Sequence, residues 1–217
     1  MPISIEDRGA FYRERASQTY SAVWYWVGAT LIEIPYTFVN TFFFSAIFFP
    51  MVGFTGWLRF VAFWVHTSLQ VLLQTYLGQL MALALPGMEV AMIVGVMTTS
   101  IFFLFMGYNP PASTIPSGYE WLYHVAPPKY TFAILTSIVF GTDDCSNLAN
   151  ASDFGCRVLR DTPPTVPQGA KVHEYLKTVF KVDRDELIFN TVVVLGYIVF
   201  FRVLALAALR YINYQKK

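Results

Sequence analysis

The sequence contains few charged residues and very few cysteines. Of its 217 residues, 13% are Asp, Glu, Lys or Arg, and two are cysteine. Soluble domains carry about 25% charged residues, so this chain has about half the ionic surface that a globular protein presents to water. The formal net charge of +1 gives no reason to expect a nucleic-acid partner. The shortage of charge argues against a soluble domain.

The sequence also lacks the short motifs that mark common enzyme activities. No glycine is followed by lysine, which excludes a phosphate-binding P-loop. The patterns H-E-x-x-H, paired C-x-x-C and G-x-S-x-G are absent as well. We therefore predict no catalytic residue, no metal site and no enzyme activity on this chain. A lipid-modifying enzyme that uses His66 or Glu33 as a base is an alternative without a supporting motif.

Apolar residues dominate instead, at 55% of the chain, and the mean hydropathy is +0.47. A helix needs about 20 mostly apolar residues to cross a hydrocarbon core of about 30 Å. Four stretches meet that requirement approximately: residues 22–52, 60–85, 90–106 and 187–209. We predict an all-α integral membrane protein with about four transmembrane helices.

Basic residues near both ends of the chain indicate its orientation. Three arginines within residues 8–15 precede the first span, and Arg210, Lys216 and Lys217 follow the last. Positive charge favours the cytosolic side, so both termini are predicted to be cytosolic. Arg59, between the first two spans, argues the other way.

With that orientation, residues 107–186 form a large extracellular loop. Cys145 and Cys156 lie within it and flank the glycosylation sequon at Asn150. A disulfide and a glycan both require this side of the membrane, which favours pairing of the two cysteines. The alternative is a chance sequon beside two unpaired thiols. Residues 119–141 are too apolar for a solvated loop, and Pro127-Pro128 divides them, so we predict two re-entrant helices there.

Polar side chains inside the spans are the candidates for function. Thr30, Glu33, Thr37 and Asn40 share one helix face in the first span. A second such face, in the second span, consists of His66, Gln70 and Gln74. These faces either line a substrate path or form hydrogen bonds between helices. Arg202, inside the fourth span, either snorkels to the interface or pairs with a neighbour.

Several motifs together resemble one family. "DRGAFYRERASQTYSAVWYWVGATLIEIPY", "FFPMVGF", "LFMGYNPPASTIPSGYEWLYHVAPPKYTFAIL" and "LRYINYQKK" occur in this order. They resemble the transmembrane region of the G subfamily of ABC transporters, most closely its pleiotropic-drug-resistance branch. The resemblance covers essentially the whole chain.

The resemblance implies a contact with a nucleotide-binding domain. In the family, the charged segment before the third span is a helix that contacts that domain. Here it would be residues 1–20, with the contact formed by Phe11, Tyr12, Arg13, Glu14 and Arg15. The four spans would correspond to family spans three to six. ATP and magnesium would bind to nucleotide-binding domains that this sequence does not contain, so no cofactor is expected on the chain itself.

The resemblance also implies a substrate cavity with an outer plug. It would place Ser100 and Phe103 on the cavity wall, and Tyr108-Asn109, just after Phe105-Met106-Gly107, would form the plug. Glu33 and Asn40, from the polar face of the first span, are the other candidates for the substrate path. The family's plug is commonly apolar, and this pair departs from that pattern. The chain is then expected to be part of a plasma-membrane exporter of hydrophobic compounds or lipids, inactive without its missing spans and ATPase domains. The alternative is a non-catalytic membrane protein that binds or regulates an intact transporter.

Overall fold

The computed structural model describes residues 9–14, 17, 21–142, 145, 153–159 and 166–212. These residues form helices and loops, with no strand among them. Arg15 and Asn150, which the sequence assigns to the contact helix and to glycosylation, lie outside the described residues. The all-α class predicted from the sequence is confirmed.

Four long helices agree with the four predicted spans to within three residues at each end. They are α2 (Ala22–Met51), α3 (Trp57–Ala84), α4 (Met88–Leu104) and α8 (Leu187–Tyr211). The short helices are α5 (Glu120–Val125), α6 (Pro127–Phe140) and α7 (Val172–Phe180), and residues 9–14 are also helical and are called α1. Pro127 and Pro128 lie in the first turn of α6, where a missing amide hydrogen does no harm, and so separate α5 from α6.

Two of the described helices are both long and apolar enough to cross a membrane, α2 with 30 residues and α8 with 25. Helix α4 is apolar, but its 17 residues rise only about 25 Å. Helix α3 is long enough, with 28 residues, but it is less apolar than α2 and α8. The number of four spans therefore stays a prediction.

The chain divides into two compact units. The first comprises Met1–Phe42, Ser68–Ser100 and Leu195–Lys217, and the second comprises Phe43–Thr67 and Ile101–Val194. The core of the first unit contains six buried residues: Phe11, Tyr12, Leu83, Ala205, Ala208 and Leu209. Helix α1 is thereby fixed against the ends of α3 and α8.

The second unit contains the predicted disulfide. Cys145 and Cys156 are bonded, with an S–S distance of 2.04 Å. Nearby, the guanidinium of Arg59 donates to both carboxylate oxygens of Asp153, at 3.0 and 2.6 Å. Thr142 donates to the same carboxylate at 3.2 Å. The start of α3 is therefore bound to the disulfide-bonded loop by an ion pair.

Aromatic rings reinforce this connection within the second unit. Phe54, in the loop after α2, packs edge-on against Phe140 and Phe154, with centroids 5.9 and 5.5 Å apart. Edge-to-face pairs at this spacing contribute about 0.5–1.5 kcal/mol beyond their buried area. The short loop between α2 and α3 and the disulfide-bonded loop therefore pack as one cluster.

Candidate functional site: a polar cavity between α2, α3 and α8

A cavity of about 760 Å³ lies in the first unit between α2, α3 and α8. Its polar lining consists of Glu33, Gln70, Gln74, Thr75, Gln79 and Arg202. Its apolar and aromatic lining includes Tyr25, Trp26, Ile32, Val71, Leu83 and Leu209. The residues from α3 recur at the spacing of one helix face, which explains how so many amides converge there. Small-molecule sites commonly have this size and this mixture of apolar walls with a few polar groups.

Arg202 lies at the centre of the contacts behind the cavity. Its side chain is buried, with 5% of the residue exposed. One guanidinium nitrogen donates to Oε1 of Gln79 at 2.7 Å, and the other donates to the carbonyl oxygen of Trp26 at 2.9 Å and to the hydroxyl of Thr30. Of the two expectations for Arg202, the structure shows pairing with neighbours. Three helices are joined through this one side chain.

Aromatic faces supply the rest of the environment of Arg202. The guanidinium carbon lies 4.5 Å from the ring centroid of Tyr76 and 5.2 Å from that of Trp26. Trp26 in turn donates its indole hydrogen to the carbonyl oxygen of Arg202 at 2.8 Å. Cation–π contacts of a desolvated arginine are worth about 2 kcal/mol each, so they offset part of the cost of burying the charge.

Glu33 is connected to Arg202 through an amide. Gln79 donates from Nε2 to Oε1 of Glu33 at 2.8 Å while its own Oε1 accepts from Arg202. A side-chain amide can donate and accept at once, so Gln79 joins a carboxylate and a guanidinium that form no direct ion pair. Both charged side chains line the cavity, with the carboxylate partly exposed and the guanidinium buried.

Helix α1 bears on the same helices that enclose the cavity. Phe11 and Tyr12 are buried, and Tyr12 donates its hydroxyl hydrogen to the carbonyl oxygen of Ile212 at 3.0 Å. Leu83 and Leu209 belong both to the core around α1 and to the cavity lining. A displacement of α1 would therefore be transmitted directly to two residues of the cavity wall.

The structure separates the five residues predicted to contact a nucleotide-binding domain. Phe11 and Tyr12 face the core of the first unit, whereas Arg13 and Glu14 are exposed. Arg15 lies outside the described residues. Among the described members of this set, only the two charged side chains are thus exposed.

Of the four predicted path residues, one lines the cavity. Glu33 lines the cavity, whereas Asn40, Ser100 and Phe103 are exposed and are not part of its lining. Thr37, on the predicted polar face, is buried. Gln70 and Gln74, from the second predicted face, line the cavity. His66, the third member of that face, belongs to the second unit. Its ring nitrogens lie 2.8 Å from the carbonyl oxygen of Ala62 and 3.2 Å from the hydroxyl of Thr191.

The predicted plug lies in the second unit, among aromatic side chains. The ring of Tyr108 lies 5.6 Å from that of Phe132 and 6.1 Å from that of Phe180, and Asn109 is exposed. Gly107, just before Tyr108, has a φ of +88°, and a Cβ there would lie 2.7 Å from Cε2 of Tyr123. Only glycine fits this turn, so the position of Tyr108 is set by α5, α6 and the end of α7.

Sequence reasoning missed three members of the site: Trp26, Tyr76 and Gln79. A buried arginine in an apolar helix requires acceptors and π faces, and such residues stand on α2 and α3. That requirement predicts the kind of partner but not which side chain supplies it. Among the described residues, no cluster of three or more His, Cys, Asp or Glu is placed to hold a metal ion.

Comparison with known proteins identifies the family. The ABC-2 type transporter family profile matches residues 1–140. ABC transporter G family member 38 of Oryza sativa subsp. japonica is 29% identical over 219 residues, covering 100% of this chain and 13% of the relative. Pleiotropic drug resistance protein 1 of Nicotiana tabacum is 28% identical over 222 residues, covering 100% of this chain and 14% of the relative.

A third relative, ABC transporter G family member 42 of Arabidopsis thaliana, is 28% identical over 213 residues, covering 97% of this chain and 14% of the relative. The chain thus spans about one seventh of the length of the curated relatives that it matches. The profile match covers well over half of the chain. This protein is a multi-pass membrane protein that belongs to the ABC-2 type transporter family.

Proposed function

We propose that the chain is the transmembrane part of an ATP-driven exporter of hydrophobic compounds or lipids. ATP would be hydrolysed on nucleotide-binding domains that belong to the rest of the transporter, and this chain would provide part of the substrate path. Its relatives carry the names of G-family ABC transporters and of a pleiotropic drug resistance protein. Both names fit a membrane domain driven by a separate ATPase.

The observation that carries the proposal is the packing of α1 against the cavity wall. Phe11 and Tyr12 are buried against the ends of α3 and α8, next to Leu83 and Leu209 of the cavity. Arg13 and Glu14 of the same helix are exposed. A nucleotide-binding domain that holds the charged side of α1 would move its aromatic side, and the cavity would change shape. Alternating access needs a coupling of this kind between two states.

The orientation of the chain fits the same proposal. With both termini cytosolic, the loop between α2 and α3 and the loop before α8 would lie on the outer side. The ion pair of Arg59 with Asp153 joins the start of α3, next to the first of these loops, to the disulfide-bonded loop between α6 and α7. As a basic residue on the outer side, Arg59 argues against this orientation. Its ion pair with Asp153 neutralises that positive charge. Plasma-membrane residence follows from the proposed export.

The proposal is tested by depletion and restoration of transport. Native membranes are solubilised and depleted with an antibody against residues 210–217, and both fractions are reconstituted into liposomes. We expect ATP-dependent uptake of a lipophilic fluorescent dye to disappear with the depleted protein and to return with the eluate. A non-hydrolysable ATP analogue should support no uptake.

Two results would overturn the proposal. Unchanged uptake after depletion would mean that the chain is not part of the exporter. The chain could also copurify with an intact transporter that hydrolyses ATP and transports dye equally well without it. That result would favour a regulatory membrane protein instead.

A further inference from the structure

The carboxylate of Glu33 has binding capacity that the described residues do not use. Its Oε1 accepts from Gln79 at 2.8 Å, and within the described part of the chain no group bonds to Oε2. Glu33 lines the cavity and is neither buried nor fully exposed. A carboxylate in an apolar span is costly unless a hydrogen-bond donor or a cation accompanies it.

Arg202 is not free to accompany Glu33 directly. Its two terminal nitrogens are committed to Gln79, to the Trp26 carbonyl and to Thr30. Gln79 stands between the two charged groups, and Arg202 is buried. Both charged side chains line the cavity, but Arg202 is buried whereas Glu33 is partly exposed. A molecule in the cavity can therefore reach the carboxylate more readily than the guanidinium.

The rest of the cavity suits the body of an amphiphile. Tyr25 and Trp26 offer aromatic surface, and Ile32, Val71 and Leu83 offer aliphatic surface. Gln70 and Gln74 bring amide groups to the same wall. A volume of about 760 Å³ lies within the range of about 300–1,000 Å³ that small-molecule sites occupy. One partly exposed carboxylate among apolar walls favours a ligand with one cationic end.

We propose that this cavity binds cationic amphiphiles, with a protonated primary amine against Glu33 and an alkyl or ring body along the Trp26 and Ile32 wall. An ammonium group donates three hydrogen bonds, enough to reach Oε2 of Glu33 and amide oxygens of the neighbouring glutamines. An anionic head would be repelled by the carboxylate of Glu33. The inference rests on the proposed function, because it names the substrate class of the path that Glu33 lines.

The test uses the purified transporter that contains this chain, in lipid nanodiscs and without ATP. The probe is a photoactivatable long-chain primary amine carrying a diazirine, compared with the alcohol and the carboxylic acid of equal chain length. After illumination, labelled peptides are mapped by mass spectrometry. We expect the amine to label peptides of the cavity lining at least about tenfold more than the alcohol, since a charge-assisted hydrogen bond contributes more than a neutral one. Unlabelled amine should compete.

Variants then assign the binding to Glu33. Glu33→Gln keeps an oxygen that can accept from Gln79 but removes the charge, so it should reduce amine labelling to the level of the alcohol. Glu33→Asp keeps the charge on a shorter side chain and should retain part of the labelling. Glu89→Gln neutralises an exposed carboxylate in the first turn of α4 and should change nothing. Thermal denaturation of each variant verifies that it is folded.

Three outcomes would overturn the inference. They are equal labelling by amine and alcohol, full labelling of folded Glu33→Gln, and amine labelling confined to peptides outside the cavity. The last would mean that a helix or lipid fills the cavity instead. The assay contains no ATP, so its failure leaves dye uptake by the native transporter untouched. Unchanged dye uptake after depletion, together with retained labelling, would overturn the export function alone.

Discussion

The guanidinium of Arg202 donates to the side-chain oxygen of Gln79 at 2.7 Å, joining α8 to α3 within the first unit. The same guanidinium reaches α2 through the Trp26 carbonyl and Thr30. Removal of this side chain would break these bonds and both ring contacts at once, and Oε1 of Gln79 would lose its donor. Losses of this kind are larger than those of exposed ion pairs.

Arg202→Met is therefore expected to destabilise the protein by about 2–4 kcal/mol. Arg202→Lys keeps the charge but loses the planar fork that bonds three acceptors, and should be intermediate. The measurement is the thermal denaturation midpoint of the detergent-solubilised chain. Arg210→Met, on the exposed side of the same helix, is the matched control. Equal midpoints for the two methionine variants would contradict the role assigned to Arg202.

The ion pair of Arg59 with Asp153 predicts a pH dependence. Hydrogen bonding from Arg59 lowers the pKa of the Asp153 carboxyl below its ordinary value, and Thr142 contributes in the same direction. A carboxyl with a lowered pKa stabilises the fold above its unfolded-state pKa, which is about 3.9. That stabilisation is lost as the pH falls below this value and through the lowered pKa of the folded state.

We expect the disulfide-bonded loop between α6 and α7 to lose protection from an acid-stable protease in this acidic range. Asp153→Asn should weaken the protection at neutral pH and flatten its acid dependence. Asp185→Asn, an exposed neighbour of α8, should leave the dependence as it is. An unchanged acid profile in Asp153→Asn would show that other carboxyls determine it.

The bond between Cys145 and Cys156 predicts the accessibility of thiols. Because neither sulfur is free, a maleimide–polyethylene glycol reagent should not shift the mass of the unfolded, unreduced protein. After reduction, two additions are expected. Cys145→Ser with Cys156→Ser should destabilise the loop by about 2–3 kcal/mol, the cost of releasing a short closed loop. Two additions before reduction would contradict the bond.

The packing of Tyr108 against Phe180 predicts an energetic coupling within the second unit. Their rings lie 6.1 Å apart with an interplanar angle of 14°. In a double-mutant cycle with Tyr108→Ala and Phe180→Ala, we expect a coupling energy of about 0.5–1.5 kcal/mol. The pair Tyr108 and Phe189 is the control, since Phe189 is 62% exposed at the start of α8. Coupling equal to that of the control would contradict the contact.

The sequence predicts the helices well because apolar runs and proline breaks are local signals. The boundaries of α2 and α8 agree with predicted spans to within two residues, and Pro127-Pro128 divides α5 from α6 as expected. The Cys145–Cys156 bond was predicted because only two cysteines were present in a loop assigned to the outside. Each of these inferences required only residues near one another in the sequence.

The site could be predicted only in part, because its contacts join distant residues. Helical periodicity placed Glu33 on a polar face, yet that face also included Asn40, which does not reach the cavity. Gln79 and Trp26 meet Arg202 across 123 and 176 positions of sequence. The periodicity of polar residues on one helix does not determine which neighbouring helix that polar face contacts. Aromatic residues of α1 predicted to contact a partner are instead buried, because Phe11 and Tyr12 complete the core beside Leu83.

The size of the native product tests the exporter proposal most directly. An immunoblot of native membranes with an antibody against residues 210–217 compares the product with the 24.7 kDa of this chain. The exporter proposal predicts a band several times larger, since the relatives are about seven times longer. A single band near 24.7 kDa, without an ATPase that copurifies, would contradict it.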